Sequence, residues 1–243
     1  MEISSKVRLF LRNNKDTLNK EPNKIDWEDF YYNTAMEELE GYEIGEIGTL
    51  FRNAHPEFYL DRIPQDFLNG SPIDYFIVPK RPDLEGIYAR AFCNSNLKGI
   101  VIPHNIKKIG ASAFEYCQNL KTVSFENGCT TICKYVFKEC VKLEYIKLPE
   151  TLKAIPRGCF WDCRSLRSLD IPKAVDKIGS EAFYDLENCI IDFEENFDLV
   201  IAKDAFPLDC DERGIKVSCY YDTPIYDYCQ EHDIPFERLR RQN

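Results

Sequence analysis

An α+β solenoid of about seven coils, each about 23 residues long, behind a helical N-terminal cap is the fold class the sequence predicts. Three observations lead to it. Isoleucines 109, 132, 155 and 178 stand 23 residues apart, and so do Phe114, Phe137, Phe160 and Phe183. Between those anchors a short alternation of apolar and polar residues recurs and is often closed by proline. Residues 1–60 follow a different, helical period.

The N-terminal segment, residues 1–60, places Val7, Phe10, Leu11 and Leu18 on one helical face behind Ser4 or Ser5 as a cap. A second helix is expected from Asp26, turning Trp27, Phe30, Tyr31 and Leu39 inward, with Gly41 at its end. A third carries Ile44, Ile47, Leu50, Phe51 and Ala54 and stops at His55-Pro56. The segment holds 7 basic against 12 acidic residues. Its expected role is to cover the open apolar end of the solenoid, and an acidic docking surface is the alternative.

Residues 61–219 form the array. IGASAFEYCQNLKTVSFENGCTT from Ile109, ICKYVFKECVKLEYIKLPETLKA from Ile132 and IPRGCFWDCRSLRSLDIPKAVDK from Ile155 align without a gap. Weaker copies start at Ile63, Ile87, Ile178 and Ile201. Each unit contains Leu-x-x-Φ-x-Φ, where Φ is apolar, as in Leu120/Val123/Phe125 and Leu143/Ile146/Leu148. Its last positions alternate inward and outward as a strand does. Prolines 79, 103, 149 and 172 then end the strand, because proline has no donor for a ladder. The IGxxAF portion adds a second inward wedge, with glycine or a small residue allowing a tight bend. Stacked at about 4.8 Å per coil, the repeats bury columns of isoleucine, phenylalanine and leucine that no single coil could bury.

These strings resemble the BspA-type leucine-rich repeat, whose units read close to IGxxAFxxCxxLxxΦxΦP, over roughly residues 63–219. The ending YYDTPIYDYCQEHDIPFERL, within residues 220–243, resembles the helix-plus-strand cap that closes such arrays. The resemblance implies a leucine-rich-repeat solenoid of the binding kind and implies no reaction.

Composition narrows the function further. With 44% hydrophobic and 30% charged residues the chain has globular balance, and a net charge of −10 opposes direct binding of a nucleic-acid backbone. The basic clusters, Lys80-Arg81 and Arg238, Arg240 and Arg241, are too sparse to track phosphates. The first residues, MEISSKVRLFLRNNKD, contain no apolar run of a signal peptide, and no stretch approaches the roughly 20 apolar residues of a membrane span. A soluble, cytoplasmic protein without membrane contact is expected.

No catalytic constellation emerges. His55, His104 and His232 fall in different units, and GxSxG, HExxH, Walker and dinucleotide motifs are absent from the sequence. Cys117, Cys140 and Cys163 share the 23-residue spacing and so read as a buried column, not as reactive thiols. The CxxxC spacings at Cys129/Cys133 and Cys159/Cys163 lack the paired four-ligand arrangement of a zinc site. No enzyme activity, cofactor or metal is expected.

The expected function is protein–protein interaction through the repeat surface, with another protein or a peptide as partner. An acidic inhibitor of a nucleic-acid-processing or defence protein, of bacterial or phage origin, and a surface adhesin are the alternatives weighed. The outward strand positions are Tyr75/Ile77, Gly99/Val101, Thr122/Ser124, Tyr145/Lys147 and Ser168/Asp170. Of these, Tyr75, Ile77, Val101 and Tyr145 are expected as contact residues, with Lys147 and Asp170 setting register. Apolar Ile77 and Val101 mark either that interface or a face covered by the N-terminal helices.

Overall fold

A computed structural model describes residues 62–239 other than 64, 73, 75, 77, 79, 81 and 83. Among the described residues the chain forms fourteen strands and one helix. In order the strands are β1 (Arg62–Ile63), β2 (Gly86–Ile87), β3 (Gly99–Ile102), β4 (Lys108–Ile109), β5 (Thr122–Phe125), β6 (Thr131–Ile132) and β7 (Tyr145–Lys147). They continue as β8 (Ala154–Ile155), β9 (Ser168–Ile171), β10 (Lys177–Ile178), β11 (Ile190–Phe193), β12 (Val200–Ile201) and β13 (Lys216–Cys219). Helix α1 (Pro224–Glu231) and strand β14 (Phe236–Arg238) end the described chain.

The described fold is a mostly-β solenoid of about seven turns, so the α+β expectation is corrected to mostly-β. The helical cap expected over residues 1–60 lies outside the described residues. From β2 to β13 a two-residue strand alternates with a strand of three or four residues, because each coil presents the chain edgewise twice. All pairs are parallel and link equivalent positions. Ile63, Ile87, Ile109 and Ile132 are successive partners in the short ladder, and Ile155, Ile178 and Ile201 in its continuation. In the long ladder Ile100 pairs Val123 and Val123 pairs Ile146, then Leu169 pairs Ile191 and Ile191 pairs Val217.

Both ladders are interrupted at one coil boundary, between β6 and β8 and between β7 and β9. Proline explains the first gap. The N–H groups of Gly110, Cys133, Gly179 and Ala202 donate to the isoleucine carbonyl one coil earlier at 2.7–2.9 Å. Pro156 occupies the equivalent place after β8 and has no N–H. Pro149 and Pro172 both lack, after β7 and β9, the donor that Glu126 supplies to Ile102 at 2.8 Å, and since β5 and β7 stay paired, proline alone does not open the second gap.

A third ladder carries the stack across that gap. In the bend after each short strand, three alternate N–H groups donate to the next coil. Tyr135 bonds Arg157, Phe137 bonds Cys159 and Glu139 bonds Trp161 at 3.0, 3.1 and 2.7 Å, and neighbouring coils repeat the set. Two residues per bend adopt left-handed backbone, such as Ser112 (φ 57°) with Tyr116 (61°) and Tyr135 (61°) with Glu139 (58°). Glycine takes such a place in these bends at Gly70 (φ 71°) and Gly158 (φ 56°), while Arg90, Tyr116, Tyr135 and Glu139 take it elsewhere, so the expectation that small residues make the bend is corrected. Gly110 instead permits coils to approach, since a Cβ there would lie 2.4 Å from the Ala89 nitrogen.

The core runs along the axis. Phe92, Phe114, Phe137, Phe160 and Phe183 are fully buried and stacked with centroids 5.1–6.4 Å apart and planes within 10°. The column tilts at its ends, where Phe76 meets Phe92 at 53° and Phe206 meets Phe183 at 51°. Tyr228 of α1 closes it against Phe206, while its hydroxyl donates to the Ala202 and Lys203 carbonyls at 3.3 and 3.1 Å.

Candidate protein-interaction surface

Alternation along the long strands turns one set of side chains into the core and the other outward. Burial follows it, with Ile100, Val123, Ile146, Leu169 and Ile191 inside. The outward rows are fixed by register. Gly99, Thr122 and Tyr145 form one row, and Val101, Ser124 and Lys147 form the other. Beyond the gap the rows continue as Ser168, Ile190 and Lys216 and as Asp170 and Asp192, the latter row ending at Ser218, which is buried.

Of the expected contact residues, Val101 is 53% exposed and Tyr145 52%, and Lys147 and Asp170 are also exposed. Tyr75 and Ile77 lie outside the described residues. Val101 and Tyr145 do not touch as neighbours. They stand two strands apart and two residues out of register, roughly 12 Å at ordinary strand geometry, with Thr122 and Ser124 between them. Small residues therefore floor the space between two apolar side chains, and Gly99 contributes no side chain at all.

Charge pairing distinguishes this face from its rim. Lys98 pairs with Asp74 at 2.5 Å and Lys121 with Glu144 at 3.5 Å. Among the described residues Lys147 and Asp170 have no ion-pair partner. Ile190, 44% exposed in the same row as Tyr145, was not among the sequence candidates. The unit containing it is one residue short between Phe183 and Ile191, so the repeat alignment did not flag it as outward.

A second surface also escaped the sequence reading. Along the bends, Glu115, Lys138, Trp161 and Tyr184 succeed one another at 23-residue spacing. The Lys138 ammonium lies 5.0 Å from the Trp161 ring centre, 5.5 Å from Tyr116 and 5.7 Å from Tyr135. It also pairs with Glu115 at 3.4 Å and Glu139 at 3.8 Å. Partial burial pulls its pKa down, and Tyr116, Glu115 and Glu139 more than reverse that. The spacing was the available signal, but spacing alone does not reveal that these side chains converge on one ammonium.

The cysteine column is a hydrogen-bond ladder as well as filler. The thiols of Cys117, Cys140 and Cys163 donate to the carbonyls of Phe92, Phe114 and Phe137 at 3.0, 3.1 and 3.1 Å. Burial pushes the Cys140, Cys159 and Cys163 thiols well up, and Cys93 and Cys129 to about 11. Among the described residues no group of three or more His, Cys, Asp or Glu side chains could hold a metal ion. None of the described helices is long and apolar enough to cross a membrane.

Six copies of the BspA type leucine rich repeat region match residues 85–208. A leucine-rich repeat protein from Bacteroides ovatus is 21% identical, with 67% of this chain and 47% of that one covered and a TM-score of 0.48. The T. pallidum leucine rich repeat protein is 22% identical over 67% of this chain and 84% of that one, with a TM-score of 0.47. A leucine rich cell surface protein from Faecalibacterium prausnitzii is 22% identical over 56% of this chain and 33% of that one, with a TM-score of 0.39. The chain thus spans about half the length of the first of these and a third of the last. No protein of curated function matches the sequence.

Proposed function

Since the chain belongs to the BspA-type leucine-rich repeat family, we propose that it is a non-enzymatic protein-interaction module whose partner, a protein or an extended peptide, lies across the outward face of β3, β5, β7 and β9. The observation that carries the proposal is the pairing of two half-exposed apolar side chains, Val101 and Tyr145, with two unpartnered charges, Lys147 and Asp170. The apolar pair supplies contact area that water leaves readily, and the opposite charges orient the partner. The net charge of −10 disfavours nucleic acid as the ligand. The proposal includes a cytoplasmic location, where reduced thiols suit the buried cysteine column.

The test uses the full chain. A partner captured from the native host is identified, and its affinity is then measured for wild type, Tyr145→Ala and Val101→Asp. Tyrosine anchors lose about 2 kcal/mol on truncation, roughly 30-fold in Kd, while outward substitutions leave folding stability within about 0.5 kcal/mol. Unchanged affinity in both variants would remove this face from consideration. A large fall in Tm would show that another part of the chain covers it.

A further inference from the structure

Two Asn-Gly steps occur in the sequence, Asn69-Gly70 and Asn127-Gly128. In such a step no side chain on the glycine hinders its backbone nitrogen from reaching the asparagine amide carbon, so the pair is chemically labile. The fold treats the two steps differently. At the first, the Gly70 N–H is a rung of the bend ladder and donates to the Cys93 carbonyl at 2.8 Å. The Asn69 Nδ2 donates to the Asp66 carboxylate at 2.9 Å, and that carboxylate opposes any negative charge arising beside it.

At the second step the polarity is reversed. Asn127 is exposed on the turn after β5, and its Oδ1 accepts the Glu150 N–H of the next coil at 2.9 Å. A donor on that oxygen draws electrons from Cγ and stabilises the oxyanion formed when Cγ is attacked. Nδ2, the leaving group, has no hydrogen-bond partner among the described residues. The Gly128 N–H donates to a side-chain hydroxyl, Thr151 Oγ1, at 3.2 Å, not to a ladder carbonyl. The adjacent Glu126 carboxylate is paired with Lys80 and accepts from the His104 N–H. Glycine is obligatory at 128, since a Cβ there would lie 2.0 Å from the His104 carbonyl oxygen. Close approach of two coils thus fixes the labile step on a water-exposed turn.

We propose that Asn127 is a site of self-modification, converting to aspartate and isoaspartate through a cyclic imide with Gly128, while Asn69 stays intact in the folded protein. Hydroxide takes the Gly128 N–H proton, and the nitrogen attacks Asn127 Cγ. The new C–N bond closes the imide ring, the Cγ–Nδ2 bond breaks, and Nδ2 leaves as ammonia with a proton returned by water. A water molecule then opens the ring. Attack at Cγ gives aspartate, attack at the main-chain carbonyl gives isoaspartate, and nothing is oxidised or reduced. Aspartate keeps an acceptor for the Glu150 N–H. Isoaspartate routes the main chain through Cγ and moves the carboxylate onto Cα, so this tie between neighbouring coils is lost.

The experiment holds the full chain in warm, mildly alkaline buffer and follows both steps over days by peptide mapping with mass spectrometry and an isoaspartate-specific methylation assay. In the folded protein Asn127 is expected to convert roughly 10-fold faster than Asn69, the factor that a hydrogen bond of ordinary net strength produces in a rate. In urea the two rates are expected to converge, because the fold no longer distinguishes the steps. The isoaspartate form, separated from the unmodified chain, is expected to melt about 2–4 °C lower, whereas Asn127→Asp keeps the wild-type Tm. The rate comparison uses the wild-type chain alone, so misfolding of a variant does not shield the proposal. An intact Asn127, equal conversion at the two steps in the folded protein, or faster conversion at Asn69 overturns it. A rate ratio that persists unchanged in urea overturns the fold as its cause.

Discussion

Removing one ring from the middle of the phenylalanine column tests whether that column is a rigid structural axis. In Phe137→Ala the lost ring is fully buried between Phe114 at 5.6 Å and Phe160 at 5.9 Å, with Phe125 edge-on at 6.4 Å. Truncation of a buried phenylalanine costs about 3–5 kcal/mol, depending on how far the surroundings collapse. Here they collapse little, since each neighbouring ring is fixed to its own coil and the coils are held by the bend ladder on both sides of Phe137. The expected loss is therefore about 4–5 kcal/mol, or a Tm lower by roughly 10–15 °C. Phe206→Ala is the comparison. Its neighbour Tyr228 sits on the terminal helix and can settle into the space, so about 3 kcal/mol is expected there. Urea denaturation and calorimetry measure both. Because coupling in a solenoid passes from each coil to the next, the central variant is also expected to broaden or split its transition while the terminal one stays cooperative. Equal losses in the two variants, or a central loss below about 2 kcal/mol, would refute the claim that the column resists collapse.

Gly158→Ala puts a Cβ 2.5 Å from the Tyr135 ring at a left-handed residue, and a loss of about 2 kcal/mol in urea denaturation is expected. Ser112→Ala, at the equivalent left-handed place, already carries a Cβ and should stay within about 0.5 kcal/mol, so equal effects would show that the ring contact is irrelevant. Glu126 is held at about 2 by its hydrogen bond from Lys80 and then by those from His104. Its folded pKa is below the unfolded value, so its contribution to stability is present above about pH 4.5 and is lost as pH falls toward 2. A carboxyl NMR titration should give that low midpoint and show it rising in Lys80→Ala, and an unchanged midpoint in the variant would remove the Lys80 contact as its cause.

How much was legible depended on whether a feature obeys the repeat. Ile109, Ile132 and Ile155 had to superpose because parallel stacking pairs equivalent residues, and the observed register does so for 109 with 132 and, beyond the gap, for 155 with 178. The outward rows containing Val101, Tyr145, Lys147 and Asp170 were legible for the same reason, from alternation alone. The bend ladder was not, because its left-handed residues are Arg90, Ser112, Tyr135 and Glu181, which share no glycine-like signature. Backbone need was met there by stacking instead of by residue choice. Pro156 reads in sequence as a break, but its effect is to silence one rung while three bonds of the bend bridge the same boundary.

The two exposed surfaces differ in what a partner would have to displace. On the bend surface Lys138 already lies near three rings and two carboxylates, and Arg157 pairs with Glu181 at 2.9 Å. A ligand docking there must break these pairs or cover them without compensation, and buried charges left unpaired are expensive. On the strand face the charges of Lys147 and Asp170 have no such partners among the described residues, and the intervening positions are Thr122, Ser124 and Gly99. A partner can bring its own countercharges to that face and lose no existing pair. Aromatic abundance alone would favour the bends, but the state of the charges reverses that preference and favours the strands for the proposed interface.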